Sequence, residues 1–208
     1  MFLELHYLLA LVLILTVHEF SHAWTANRLG DPTAEREGRV SLNPLRHLDI
    51  VGTIMLFVAG IGWGKPVPVN PRNFKHPHRD EAITAFAGPF ANLVMAILAA
   101  IPVSYIPESA GMDELKAFFA AVLDLSLVLF LFNMLPFPPL DGSKFLTIFV
   151  PKRLRPAYEI FLQKATPYFL ILVVVDLWFS PKIFGMSLVW TVVSTATYWL
   201  KTAILLVV

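Results

Sequence analysis

The chain has 208 residues, of which 57% are hydrophobic and 15% charged, with a mean hydropathy of +0.67 and a formal net charge of +1. A soluble domain carries about 45–50% apolar residues and about a quarter charged ones, so this composition excludes an ordinary water-soluble globule and predicts an all-α polytopic membrane protein, a single domain over 1–208. The net charge says nothing about nucleic acid and no basic run interleaved with aromatics suggests it, so no nucleic-acid partner is expected; without cysteine, disulfides and thiolate metal ligands are excluded.

In chain order, apolar runs fall at 2–26, 48–63, 82–106, 116–135, 157–179 and 184–208. Five of them approach or exceed the ~20 residues needed to cross the hydrocarbon core. The first reads as a retained helix rather than a cleaved leader, because Glu4 stands where a signal peptide has bases and no small-x-small site follows. The run at 48–63 is short and holds Gly52, Gly60 and Gly62. Bases flank it on both sides: Arg28, Arg36, Arg39 and Arg46 before, Lys65, Arg72, Lys75 and Arg79 after. Cytoplasmic loops carry the Lys/Arg excess, so the segment is expected to dip in and return. The acidic loop 107–115 then falls outside and the basic segment 144–164 inside. Five full spans result, with the N-terminus out and the C-terminus in.

The chemistry is concentrated at His18-Glu19-Phe20-Ser21-His22, an HExxH in the inner part of the first run. Residues four apart on a helix share a face, so both imidazoles can reach one ion, with Glu19 placed to act on a water rather than to ligate. The run 116–135 travels back to the same depth and ends at Asn133, followed by Pro136, Pro138, Pro139 and Asp141. The prolines must break the helix there, which brings Asp141 level with His18 and His22. Two His and one carboxylate form a catalytic zinc set for one ion, so Asp141 is the expected third ligand.

Other polar residues are expected to have quieter roles. Asp124 lies half a turn out of phase with Asn133 and should pair with a neighbouring helix. Asp176 is expected at an outer interface, His76 and His78 in an exposed loop, and His47 at the edge of the short run. The stretch 64–71, GKPVPVNP, cannot be helical. It is expected to be an extended ribbon, and Val67, Val69 and Asn70 are its candidate substrate-binding residues, against which a substrate segment adds as a strand.

These motifs resemble the site-2 protease family of intramembrane zinc metalloproteases, in a compact form without a PDZ domain. The likeness covers most of 16–146 and rests on HEFSH at 18–22, NPLRHLDIVGT at 43–53, GWGKPVPVNPRNF at 62–74, AGPFAN at 87–92 and NMLPFPPLDG at 133–142. The resemblance implies a catalytic core over about 1–146, zinc held by His18, His22 and Asp141, and Glu19 as general base. Asn133 and Asn92 match asparagines that position substrate or steady the oxyanion. It further implies a single-span membrane-protein substrate, a lipid bilayer as surroundings, and a prokaryotic inner membrane with the site toward the cytoplasm. A second copy or an accessory membrane protein is a further candidate partner. The C-terminal segment, 157–208, matches no family motif. The competing reading is a polytopic ion transporter using the His/Glu/Asp cluster as an ion site; it predicts an internal hydropathy repeat that the chain lacks.

Overall fold

The computed structural model describes residues 4–59, 62–107 and 111–208, and among them the regular structure is entirely helical. Helix α1 (Leu5–Arg28) is a continuous helix whose residues 8–15 are all aliphatic. It stops at Gly30, whose φ of 106° is left-handed backbone, followed by Asp31-Pro32. A single turn, α2 (Thr33–Arg36), and the short helix α3 (Ile50–Ala59) follow. Helix α4 (Pro77–Tyr105) begins with proline at its first position. The carboxylate of Asp80 accepts the His76 N–H at 2.9 Å, pairing a donor that the helix itself leaves free. Helix α5 (Asp113–Asn133) carries Asp113 and Glu114 in its first turn, where the helix dipole favours negative charge.

The helices α1, α4 and α5 form the centre. Ala10, Ile14, Ala96, Ala99, Ala100, Ala121, Val122, Leu123 and Leu127 are buried together between them. The alanines let the backbones approach closely, which is how helices associate where lipid removes the hydrophobic drive. Large apolar side chains such as Leu9, Leu13, Leu98 and Ile101 point outward. Among the described residues four helical segments are long and apolar enough to cross a membrane: α1, α4, α5 and the stretch Thr166–Phe184. The protein is an all-α polytopic membrane protein.

The short run does return on itself. Leu48 pairs antiparallel with Gly64, and Lys65 N–H donates to His47 C=O at 2.7 Å, so the chain leaves and re-enters α3 at one place. A Cβ on Gly52 would lie 2.1 Å from Trp63 O and one on Gly62 would lie 2.8 Å from Gly52 O, so only glycine lets the returning chain lie against α3. Gly60, the third glycine of that run, lies outside the described residues.

The two basic flanks are tied together as well. Buried Arg39 donates to Lys65 O at 2.5 Å and Pro66 O at 3.1 Å. Burial lowers the pKa of this guanidinium, and the carboxylates of Glu19 and Glu37 oppose the shift. Asp31, fully buried, accepts from Thr33 N–H, the Thr33 hydroxyl, Asn70 N–H and the Asn73 amide. Burial pushes its carboxyl up, but these four hydrogen bonds outweigh it and hold the group below its usual value.

After α5 the prolines break the chain as expected, and α6 (Asp141–Phe145) starts with the aspartate itself. The run at 157–179 does not form one span. It divides into α7 (Arg155–Lys164), which has no buried residue, and α8 (Thr166–Trp178), because Lys164 and the sequence Ala165-Thr166-Pro167 interrupt it. The single-turn helix α9 (Ser180–Phe184) leads to α10 (Leu188–Val207). Asp124 on α5 pairs with Lys201 on α10 at 2.6 Å, the neighbouring-helix role expected of it. Asp176 lies near the end of α8. It is buried and accepts from the Ser187 hydroxyl, Leu188 N–H and Val189 N–H, capping α10 from α8.

Candidate metal centre

Three side chains from two elements converge at the end of the bundle where α1 finishes and α6 begins. His18 Nε2 and His22 Nε2 are 3.0 Å apart, and Asp141 Oδ2 lies 3.2 Å from each. Among the described residues this is the one group of three potential ligands close enough to share an ion. Ligand atoms at 2.0–2.1 Å from a tetrahedral zinc stand about 3.3 Å from one another, and the observed triangle fits that spacing. Two imidazole nitrogens and a carboxylate oxygen, without sulfur, suit zinc by ligand type as well.

The elements explain why the atoms meet. His18 and His22 share a face of α1 by the i, i+4 rule. Asp141 is placed by the helix break, and Gly142 lets α6 lie against the end of α5: a Cβ there would stand 2.4 Å from Met134 O and 2.6 Å from Leu135 O. The imidazoles are oriented from behind by α4. His22 Nδ1 donates to Thr84 C=O at 2.7 Å, and Asn92 Nδ2 lies 3.1 Å from His18 Nδ1. Between them, a Cβ on Gly88 would fall 2.3 Å from His22 Nε2 and 2.8 Å from His18 Cε1. Pro89 removes one backbone donor from this stretch of α4.

A cavity of about 320 Å³ opens on the triad, and Glu19, Asn133, Val67 and Val69 border it. Glu19 is close to the ribbon, since a Cβ on Gly64 would be 3.8 Å from its Oε1. Asn133 donates one amide N–H to Leu129 C=O at 3.0 Å while remaining on the cavity wall. Two expected site residues are placed differently. Asn70 is turned into the loop: its N–H goes to Asp31 Oδ2 at 2.7 Å and its Oδ1 accepts from Arg72 N–H. The wall of the cavity at the ribbon is instead made by Val67 and Val69. Asn92 is fully buried behind His18, away from that cavity, and its Oδ1 has no partner.

Sequence reasoning passed over Thr84, Gly88, Arg39 and Asp31. A signal for part of this was present, because Gly88 and Asn92 are four apart and must share a face of α4. What that face touches is a matter of helix packing. Arg39 and Asp31 looked like ordinary loop charges, and only their burial marks them.

Fold and site together define a membrane protein with a His₂Asp cluster that could hold a metal ion and a carboxylate beside it. A protein named "Putative zinc metalloprotease YwhC", from Bacillus subtilis (strain 168), is 42% identical over 154 residues, covering 71% of this chain and 70% of that protein. "Putative zinc metalloprotease Rip2" of Mycolicibacterium smegmatis is 37% identical over 134 residues, 62% of this chain and 51% of that protein. The Rip2 protein of Mycobacterium tuberculosis (strain H37Rv) is 33% identical over 177 residues, 82% and 65% respectively. No family model matches the chain, and no solved structure matches it. The chain belongs to the zinc metalloprotease family that these relatives represent. Their names do not favour the ion-transport reading.

Proposed function

We propose that this protein is an intramembrane zinc metalloprotease of the site-2 protease type, hydrolysing peptide bonds within or near the transmembrane segment of single-span membrane proteins. The observation that carries the proposal is the position of the triad. His18, His22 and Asp141 meet between helices long and apolar enough to span a membrane, with Glu19 on the wall of the same cavity. His18, His22 and Asp141 would hold one zinc ion, which supplies Lewis acidity for peptide hydrolysis.

The chain's own residues do the rest. The Glu19 carboxylate takes a proton from the attacking water and returns it to the departing amine nitrogen. Asn133 offers an amide N–H to the carbonyl oxygen as negative charge develops there. Val67 and Val69 present an extended edge on which the substrate backbone lies unwound; a helical peptide would hide its carbonyl in the i to i−4 ladder. A second, apolar cavity of about 300 Å³ shares Gly62, Leu129 and Phe132 with the first and borders α8 and α10 through Val173 and Trp190. It offers an apolar approach from the bundle's side to the triad. The basic flanks 28–46 and 65–79, tied together at the triad's end, support a cytoplasmic site in a bacterial inner membrane.

The test uses purified full chain in detergent, with wild type, Glu19→Gln and Asp141→Ala compared for zinc content and cleavage of a single-span reporter. About one zinc per chain in wild type and Glu19→Gln, less in Asp141→Ala, and cleavage by wild type alone is the expected pattern. Undiminished cleavage by Glu19→Gln would remove Glu19 as the base, and equal metal in all three would remove the triad.

A further inference from the structure

Two histidines on one helix face hold equivalent places in the triangle, but the groups behind them are not equivalent. His22 Nδ1 faces the Thr84 carbonyl, which can only accept. That carbonyl fixes the proton on Nδ1 and leaves the Nε2 lone pair facing the triangle. His18 Nδ1 faces a carboxamide, which can present either an N–H or an oxygen at the same place. With the Asn92 nitrogen toward the ring, Nδ1 must accept, Nε2 then carries the proton, and a protonated nitrogen cannot be a ligand. Turned by half a rotation about its last bond, the amide places Oδ1 there instead, and the choice between the two is one of hydrogen-bond logic rather than of shape.

We infer that Asn92 sets the tautomer of His18: its Oδ1 accepts the His18 Nδ1–H, which leaves Nε2 as a metal ligand. This rests on the metal reading above and deepens it. Three observations bear on it. Asn92 is 0% exposed and absent from the cavity wall, so it does not face a substrate. Its Oδ1 has no partner when the nitrogen faces the ring, so nothing in that orientation holds the oxygen. Thr84, Gly88 and Asn92 are each four residues apart, so they form one stripe of α4. The stripe runs antiparallel to His22 and His18: an acceptor behind one ring, space for both, and an acceptor behind the other. A histidine ligand held through its second nitrogen by a hydrogen-bond acceptor is oriented and made more basic. Asn92 is therefore a positioning residue that acts through His18, not a donor to the reacting carbonyl.

The test measures zinc affinity of the purified full chain by competition with a chromophoric chelator, alongside reporter cleavage, for wild type, Asn92→Leu and Asn92→Asp. A carboxyl offers an acceptor oxygen in either charge state but no amide donor. The expected result is zinc affinity about 10–100-fold weaker in Asn92→Leu, with affinity and cleavage both kept in Asn92→Asp. Unchanged affinity in Asn92→Leu overturns the inference while leaving the metalloprotease reading standing, provided wild type loads zinc and cleaves. Zinc lost in Asn92→Asp to the same degree as in Asn92→Leu overturns it, because an acceptor oxygen at this place would then not be what holds His18. Zinc kept in Asn92→Asp with cleavage abolished overturns it in favour of a donor to substrate. A measurement on wild type alone covers the case in which a variant does not fold. The ¹⁵N shifts of His18 in zinc-loaded protein should show a protonated Nδ1, and an unprotonated Nδ1 sinks the assignment. Wild type that takes up no zinc removes the metal reading itself.

Discussion

The two parts of the chain are held together by different means. From α1 to α6 the helices meet through small residues and through a polar cluster that converges on three ligand atoms: Gly88 lies under two imidazoles, and Thr84 and Asn92 back them. From α7 onward the helices are largely exposed; Leu200, Ile204 and Leu205 of α10 pack against the edge of the core, Phe169 of α8 stacks on Phe137, and a few polar links add to this. Tyr158 donates to Ser143 C=O at 2.6 Å, Asp176 caps α10, and Lys201 pairs with Asp124. Among the described residues, none of the three candidate metal ligands comes from the later part. Substitutions in the first part should therefore change metal binding and chemistry, whereas those in the second should change stability and leave the metal in place.

The sharpest way to break that contrast is Gly88→Ala. Alanine is intrinsically better in a helix than glycine by about 1 kcal/mol, yet its Cβ would collide with both imidazoles. Zinc affinity should fall by about 10–100-fold with little loss of thermal stability, read by elemental analysis and by unfolding of the metal-stripped protein. Normal metal content in this variant would mean that the rings do not need the α4 stripe.

Lys201→Met tests the other side. It strands the Asp124 carboxylate between α5 and α10, both groups being about one-third exposed. The partial exposure places the loss at about 1–3 kcal/mol, between the values for surface and buried pairs. Zinc content should be unchanged; a fall in metal would show that the later helices help to shape the site. Asp176→Asn should cost a similar or smaller amount, about 1–2 kcal/mol, by weakening three hydrogen bonds at the start of α10. Faster proteolysis confined to 179–188 is the expected readout.

Arg39→Gln probes the link between the loop and the ribbon. Two hydrogen bonds to Lys65 O and Pro66 O are lost, so KM for the reporter should rise by about tenfold with zinc retained. A change in kcat alone would place the effect at Glu19 rather than at the ribbon. The smallest expected effect is that of pH on Asp31. Its carboxyl is held below the ordinary 3.8, so its contribution to stability is fully present above that value and fades as pH falls through the lower folded value. Asp31→Asn should flatten the acid limb of the stability curve, measured on metal-stripped protein; an unaltered limb would show that other carboxylates set it.

The site was legible in the sequence to the extent that its geometry is local. The i, i+4 spacing of His18 and His22 is a property of any helix, and the break that presents Asp141 follows from prolines that cannot continue one. The return of the 48–63 segment was legible through charge, since bases on both flanks favour one side of a membrane. The division of 157–179 into α7 and α8 was less visible, because the apolar character of Tyr158, Ile160 and Phe161 masked the stop at Lys164 and Pro167.

What the sequence determined by itself was therefore the membrane class and the three residues that converge as a triad. Only the tertiary structure decided what stands behind the ligands. Thr84 and Asn92 are 62 and 74 residues from the histidines they touch. Such a pairing depends on how α4 is rotated against α1, which is set by the packing of their buried faces, Ala10 and Ile14 on one and Ala96, Ala99 and Ala100 on the other. Helical periodicity says which residues share a face; it does not say which face of another helix they meet. The contact of Asn92 was hidden for this reason: an asparagine in a membrane helix signals a polar partner, and only packing shows that the group beside it is the His18 imidazole.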